Sequence, residues 1–326
     1  MTELSARLNE SSTQWVSFPI KDWSPGWKDN YQAWLQPSLD LVGDTTWGGT
    51  IRDLVQLPVE DPLLWANRLI ELPGGHCAVT GIRFRNRDIS KPFVDIIATT
   101  VSPDAAGFEL LGQVLATYGD FQPLCLRLNV PELNDALRSI KTSPTNIGSA
   151  HPDLLILARP VTELLAEPLA PIFQAISLRP CPPSAAAART FEIYNELESS
   201  RPQLREWAVP ADAQSLEGAA SEDLLFEILV DGNPAGVIAA ERTNAYGFTG
   251  FCMQEIAIDS SHRGRHIGVA ALQHLLRKLP AIEHDVLWGH IHPDNLPSLR
   301  NAQASGRQIV SAHIWFTPPG YSGMNN

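Results

Sequence analysis

Apolar and polar positions follow a regular order through the second half of the chain. Short apolar runs predict strands, and the turn DGNP predicts a hairpin between two of them. Apolar residues recur every three or four positions from Val269 to Leu279, which predicts a helix there. From 176 onward the predicted order is β, α, α, β, β, β, α, β, α, β. Strands are predicted at 176–179, 224–230, 235–242, 251–258, 285–291 and 308–316, with shorter helices at 184–197, 212–220 and 296–305.

The first half has a weaker version of the same pattern. Its succession of strand, helix, strand, helix and strand matches the one from 251 to 316. This match indicates an internal duplication of the fold whose sequence has diverged. The strands of this copy are predicted at 77–84, 93–101, 124–129 and 154–158, and the helices at 104–118 and 133–140.

A proline-rich stretch separates the two copies. Proline and small residues cluster from Pro160 to Pro183, which includes the run RPCPP. A length of 326 residues is also typical of two domains. We therefore predict two α/β domains, 1–170 and 171–326, each with a mixed sheet flanked by helices.

Composition narrows the possible partners. Thirty-six acidic and 24 basic residues give a formal net charge of −12, which repels nucleic acid. The sequence contains no apolar run that could cross a bilayer and no export signal at its start, so we expect a cytoplasmic protein without membrane contact. The four cysteines show no metal-binding spacing, so neither a metal site nor disulfides are expected. The oligomeric state is left open.

The segment IAIDSSHRGRHIGVAAL, residues 256–272, contains the clearest chemical pattern. A predicted strand leads into a loop with arginines and glycines, and a helix begins directly after it. Glycines allow a close approach to the backbone, and the first amides of a helix bind anions, so a pyrophosphate fits here. A solvated basic turn is the alternative. The Rossmann fingerprint fits poorly because the glycine spacing differs, and Walker A does not occur.

This loop resembles that of the GNAT superfamily of acyl-CoA transferases, which has the pattern Q/R-x-x-G-x-G/A between the fourth strand and the third helix. Arg263, Gly264 and Gly268 match its common form RGxGxG, with His266 in place of the middle glycine. Read from Arg265 instead, the loop satisfies the general pattern literally. The frame of the match therefore stays open.

A second landmark of the family lies at the expected distance. A predicted strand at 286–291 precedes Asn295, which opens a helix, and Gly306 closes that helix eleven positions later. The first half lacks the loop, because VSPDAAGFELL at 101–111 has one glycine, no arginine, and the acids Asp104 and Glu109. The chain thus resembles a tandem GNAT protein whose first domain is degenerate.

The resemblance implies where a donor binds. In this family the fourth and fifth strands diverge, and the pantetheine arm of an acyl-CoA, most simply acetyl-CoA, adds to the open edge. The implied binding residues are Ile256, Ala257, Ile258, Arg263, Gly264, Arg265, His266, Ile267, Gly268, Val269 and Asn295.

Candidate catalytic residues lie on the strands beside this edge. His290 stands five residues before Asn295, where several family members have a glutamate that serves as base. Histidine titrates near neutrality, which suits this role, and Glu255 is the second candidate. The family's usual tyrosine acid is replaced by Ala302, and Tyr246 is a distant substitute that is more simply a loop aromatic.

These features predict an acyl-CoA-dependent N-acyltransferase that acts on a small amine. A non-catalytic acyl-CoA-binding regulator is one alternative, because Ala302 and the degenerate first half weaken the case for turnover. Another acyl-CoA reaction on the same fold, such as O-acylation or decarboxylation, is a second.

Overall fold

The structure, a computed structural model, describes residues 3–206 and 208–324. Its strands are β1 (Arg68–Leu72), β2 (His76–Phe84), β3 (Pro92–Thr99), β4 (Leu126–Val130), β5 (Ser149–Pro160), β6 (Ile176–Pro180), β7 (Leu225–Val230), β8 (Asn233–Arg242), β9 (Gly250–Ile258), β10 (Val286–Ile291) and β11 (Gln308–Thr317). Its α-helices are α1 (Glu3–Ser12), α2 (Phe18–Trp23), α3 (Trp27–Asp40), α4 (Thr45–Val55), α5 (Pro62–Trp65), α6 (Ala105–Gly112), α7 (Leu133–Lys141), α8 (Val161–Ala166), α9 (Pro183–Ser200), α10 (Glu217–Ser221), α11 (Ile267–Leu276) and α12 (Leu296–Ala304).

The chain forms two compact units. The first comprises the described parts of Met1–Asp22, Gly26–Leu154 and Val310–Asn326, and the second comprises those of Trp23–Pro25 and Leu155–Ile309. The bounds of the domains 1–170 and 171–326 were placed at a proline-rich stretch of the sequence, whereas the compact units follow from how the chain packs. These domain bounds therefore stay a prediction. The compact units group 155–170 with the second unit and 310–324 with the first.

The sheet of the first unit has the order β1, β2, β3, β4, β11. β3 and β4 are parallel and α6 lies in their connection, whereas β11 pairs antiparallel with β4 through 312–316. Aromatic residues fill much of this core. Trp65 is fully buried, and its ring lies 4.8 Å from that of Phe121. Trp15 and Phe108 pack edge to face at 6.0 Å.

The sheet of the second unit has the order β5, β10, β9, β8, β7, β6. β9 and β10 are parallel, and every other adjacent pair in this sheet is antiparallel. β10 pairs with 155–160 of β5 along its other edge. The predicted fold class, a mixed sheet flanked by helices, is confirmed in both units.

Helices cover both faces of this second sheet. Apolar side chains of α11 pack with Phe251 of β9 and Leu287 of β10 on one face. Ala186 of α9 packs with Val237 and Ala239 of β8 on the other face. None of the helices within 3–206 and 208–324 combines the length and the hydropathy needed to span a membrane.

Candidate functional site

Strands β9 and β10 separate part of the way along their length. In the part of the chain that the structure describes, they pair at three positions, the last of which joins Cys252 to Trp288. The register of β9 against β8 also shifts here, because Ala240 pairs with Met253 while its neighbour Ala239 pairs with Glu255. One extra residue therefore forms a bulge in β9, and bulges bend a strand. The result is an open edge from 253 to 258.

Two backbone groups on this open edge are held by side chains. The N–H of Ile256 donates to Oε1 of Glu255 at 2.9 Å, and the carbonyl of Ile258 accepts from Nε of Arg263 at 2.9 Å. Ala257, between them, pairs with Val237 of β8. A ligand that adds to the edge as a strand would take over the two outer groups.

The loop after β9 leads directly into the start of α11. Arg263, Gly264, Arg265 and His266 are all exposed. Gly264 has a φ of 73° and His266 a φ of 59°, so the chain turns sharply before the helix begins at Ile267. His266 is the N-cap residue, but its side chain makes no capping hydrogen bond. The first amides of α11 are therefore left for an anionic ligand.

The three helix-opening residues have structural roles as well. Ile267 and Val269 direct their side chains into the core, where they are 2% and 7% exposed. Only their backbone amides remain for a ligand. A Cβ on Gly268 would lie 2.6 Å from Oδ1 of Asn301 on α12, so this glycine permits the close approach of α11 and α12.

The first unit differs at the corresponding position. Asp104 caps α6, and its Oδ1 accepts a hydrogen bond from the N–H of Gly107 at 2.9 Å. The carboxylate already occupies the place that an anion would take. This difference supports the prediction that the first half has lost the phosphate site.

Glu255 lies beneath the open edge and is 7% exposed. Besides the amide of Ile256, its carboxylate accepts from the hydroxyl of Tyr194 on α9 and from the N–H of Ala211, both at 3.3 Å. Burial raises the pKa of Glu255, and these hydrogen bonds offset only part of the increase. Burial raises the pKa of Tyr194 as well. The sequence analysis did not identify Tyr194 as a site residue, because an isolated tyrosine on a helix has no recognisable signal.

His290 is exposed on β10 and contacts a tyrosine. Its Nε2 lies 2.7 Å from the hydroxyl of Tyr246, and the two rings are edge to face at 5.8 Å. Tyr246 is itself buried, with a φ of 55°. The structure therefore brings His290, the first candidate base, into contact with Tyr246, which the sequence analysis had interpreted as an ordinary aromatic residue of a loop.

Both candidate bases lie on the same face of the sheet. Phe251 and Leu287 pair with each other and point into the α11 core, so Cys252 and Trp288 point to the opposite face. His290, two residues after Trp288, shares that face. Glu255 also lies there, since it contacts Tyr194 of α9. An acceptor bound on the α9 face would meet both groups.

The second sequence landmark is a helix with both ends capped. Oδ1 of Asn295 accepts from the N–H of Ser298 at 3.2 Å, which caps the start of α12. Gly306 has a φ of 96° just past its end. Ala302, where the family usually has tyrosine, is fully buried. A role of Asn295 in binding a cofactor stays a prediction.

The described residues contain no group of three or more metal-binding side chains placed to hold an ion. Residues 187–306 match the model of the acetyltransferase (GNAT) family. This segment includes β9, the loop at 263–266, α11, β10 and α12. No curated protein matches the chain.

Several solved structures are similar to the chain at low identity. A GCN5-related N-acetyltransferase from Sphaerobacter thermophilus is 13% identical, with a TM-score of 0.49, 87% of this chain covered and 94% of that one. One from Kribbella flavida is 14% identical, with a TM-score of 0.43 and coverages of 86% and 97%. A tandem GNAT protein from the clavulanic acid biosynthesis pathway is 15% identical, with a TM-score of 0.42 and coverages of 87% and 97%.

Proposed function

We propose that the second part of this chain, in which residues 187–306 match the model of the acetyltransferase (GNAT) family, transfers the acyl group of an acyl-CoA to a small amine. The observation that carries the proposal is the open edge of β9 next to the uncapped start of α11. One edge offers backbone groups to an extended arm, and the adjoining loop offers amides and arginines to its phosphates. Coenzyme A has both parts in this order.

The pyrophosphate would lie against the first amides of α11, with Arg263 and Arg265 supplying positive charge. The pantetheine arm would then run back along β9 and replace the side-chain contacts at Ile256 and Ile258. This direction brings the thioester to the point where β9 and β10 meet. The amine would approach from the α9 face, where His290 and Glu255 lie.

The reaction needs an unprotonated amine. We assign removal of the ammonium proton to His290, with Glu255 as the second candidate. The amine nitrogen attacks the thioester carbonyl carbon, the C–N bond forms, and the C–S bond breaks. The coenzyme A thiolate then takes up a proton. Since Ala302 cannot supply it, we place Tyr246 as a candidate donor through its contact with His290.

The small amine, the acetyl group and the cytoplasmic location remain parts of this proposal. We infer that the first unit binds no coenzyme. The buried Ala302 also favours a second candidate, an acyl-CoA-binding regulator without turnover, because it removes the family's usual acid.

Release of free thiol separates these two candidates. The intact protein is incubated with acetyl-CoA, and then with other short acyl-CoAs, in the presence of a panel of small amines. An acyltransferase releases thiol only when a suitable amine is present. A regulator binds the acyl-CoA in calorimetry but releases no thiol with any amine. If the protein neither binds acyl-CoA nor releases thiol, the proposed function is refuted.

A further inference from the structure

Arg307 is a buried cation, and the part of the chain that the structure describes places no counter-charge beside it. It follows Gly306, and its backbone N–H donates to the carbonyl of Ala302 at 3.0 Å. The residue is only 4% exposed. Among the residues that the structure describes, none accepts a hydrogen bond from its Nε, and no carboxylate lies within ion-pair distance.

The guanidinium lies where β9 and β10 begin to separate. A Cβ built on Gly289 would be 3.4 Å from Nη1 of Arg307 and 3.3 Å from Cβ of Met253. Met253 directly follows Cys252, which forms the last pair between the two strands. Gly289 therefore leaves room for the guanidinium at the closed end of the opening.

Two other arginines of this unit have carboxylate partners even though they are less buried. Arg159 bonds Glu163 at 2.9 Å, and Arg242 bonds Asp285 at 2.8 Å. A buried charge without a partner is costly, so its position suggests an anion that arrives from outside.

The neighbouring thiol cannot supply the negative charge. Burial raises the pKa of Cys252 to about 12, so it is a neutral thiol at physiological pH. Burial lowers the pKa of Arg307 to about 10, which leaves the guanidinium charged under the same conditions. The site therefore keeps a net positive charge until a ligand binds.

We propose that Arg307 binds the terminal carboxylate of a short dicarboxylic acyl group on the coenzyme A donor. This inference rests on the proposed function, which directs the arm along β9 toward Met253 and so brings the acyl end to the guanidinium. Arginine binds carboxylates through two parallel hydrogen bonds. The transient thiolate is a less suitable partner, because it would leave the cation unpaired whenever the intact donor is bound. The carboxylate itself takes no part in the transfer.

Matched donors test this selectivity directly. Succinyl-CoA and butyryl-CoA share a four-carbon acyl chain and differ by the terminal carboxylate, and malonyl-CoA and propionyl-CoA form the three-carbon pair. We expect the intact protein to bind the carboxylate member of at least one pair about tenfold more tightly or better. The formal net charge of −12 opposes any such preference at long range, so a preference would require a local cation.

Variants then assign the preference to Arg307. Arg307→Met should remove it, and Arg307→Lys should keep only part of it, because an ammonium lacks the two-pronged geometry. Arg300→Met, which changes an exposed arginine on the preceding helix α12, is the matched control and should leave the preference intact.

Equal affinity within both pairs, or a preference that survives Arg307→Met, would overturn the inference. If Arg307→Met does not fold, the comparison of donors in the unaltered protein and the lysine variant still decides. If Arg307→Met lowers turnover by the same factor with succinyl-CoA and with butyryl-CoA, Arg307 would instead be assigned to stabilising the leaving thiolate. If coenzyme A itself does not bind, the proposed function fails, whereas binding without preference refutes only this inference.

Discussion

The hydroxyl of Tyr246 lies 2.7 Å from Nε2 of His290, which joins a buried loop residue to an exposed residue on β10. The aromatic ring of Trp288 lies 5.3 Å from that of His290 and restricts its position further. A base held in this way has a fixed direction toward the α9 face. The pair is therefore the main candidate for handling the proton of the amine.

Substitution of both partners tests whether they act as a unit. His290→Ala should lower kcat/KM by roughly two to four powers of ten and remove a near-neutral limb from its pH profile. Tyr246→Phe should cause a smaller loss. If the two residues act together, the double variant should be no slower than His290→Ala alone. Effects that multiply would show that Tyr246 acts independently, and an unchanged pH profile in His290→Ala would transfer the role to Glu255.

Glu255 should make stability depend on pH in a defined direction. Its pKa is raised in the folded protein, so the folded state holds the proton more tightly than the unfolded state does. Its contribution to the free energy of unfolding is therefore greatest below the ordinary value of 4.5 and is lost as pH rises through the folded pKa. At higher pH the buried carboxylate is charged, and it lowers the free energy of unfolding.

Glu255→Gln removes this titration and keeps the shape of the side chain. We expect its free energy of unfolding, relative to the unaltered protein, to increase as pH rises from about 4.5. Urea unfolding at a series of pH values measures the difference in free energy of unfolding between the two proteins. The contributions of other titrating groups are common to both proteins and cancel in this difference. A difference that is constant with pH, or that falls, would mean that Glu255 does not hold a proton in the folded state.

Gly268 should be required for packing independently of any ligand. An added Cβ would lie 2.6 Å from Oδ1 of Asn301, so Gly268→Ala should lower the free energy of unfolding by about 1–3 kcal/mol. Asn301→Ala removes the obstructing side chain, and the double variant should recover most of that loss. Urea denaturation of the four proteins measures the coupling. Additive losses would show that Asn301 is not the limiting contact.

Arg265 offers a cleaner test of the proposed phosphate site, because its side chain is exposed. Arg265→Glu should weaken coenzyme A binding by about tenfold, and the loss should shrink as salt is added. Arg138→Glu on α7 makes the same change in net charge at another exposed arginine and serves as the control. Equal losses in the two variants would indicate a general charge effect rather than a contact at the loop.

The sequence alone predicted much of the second unit. The hairpin of β7 and β8, the helix α11 and the cap at Asn295 all follow from local patterns, and the structure has them. The helices α1 to α5 were missed, because their apolar positions are irregular and tryptophan occurs in every class of element. The predicted helix 184–197 was also too short, since α9 begins at Pro183 and continues to Ser200.

Contacts between distant residues could not be predicted. β10 pairs with 155–160, but buried strands have similar compositions. The sequence therefore does not indicate which of them lies beside β10. The hydrogen bond between Tyr194 and Glu255 and the isolation of Arg307 depend on tertiary packing in the same way. Local pattern thus located the loop at 263–266 and the helix that follows it, whereas the surroundings of Glu255, His290 and Arg307 required the structure.

The central claim is that one acyl-CoA binds to each chain, at the loop that opens α11. Titration calorimetry of coenzyme A into the intact protein measures it most directly. We expect one site per chain, because the carboxylate of Asp104 already caps α6 whereas α11 has no such cap. A stoichiometry near two would show that the first unit also binds, and no binding at all would contradict the account.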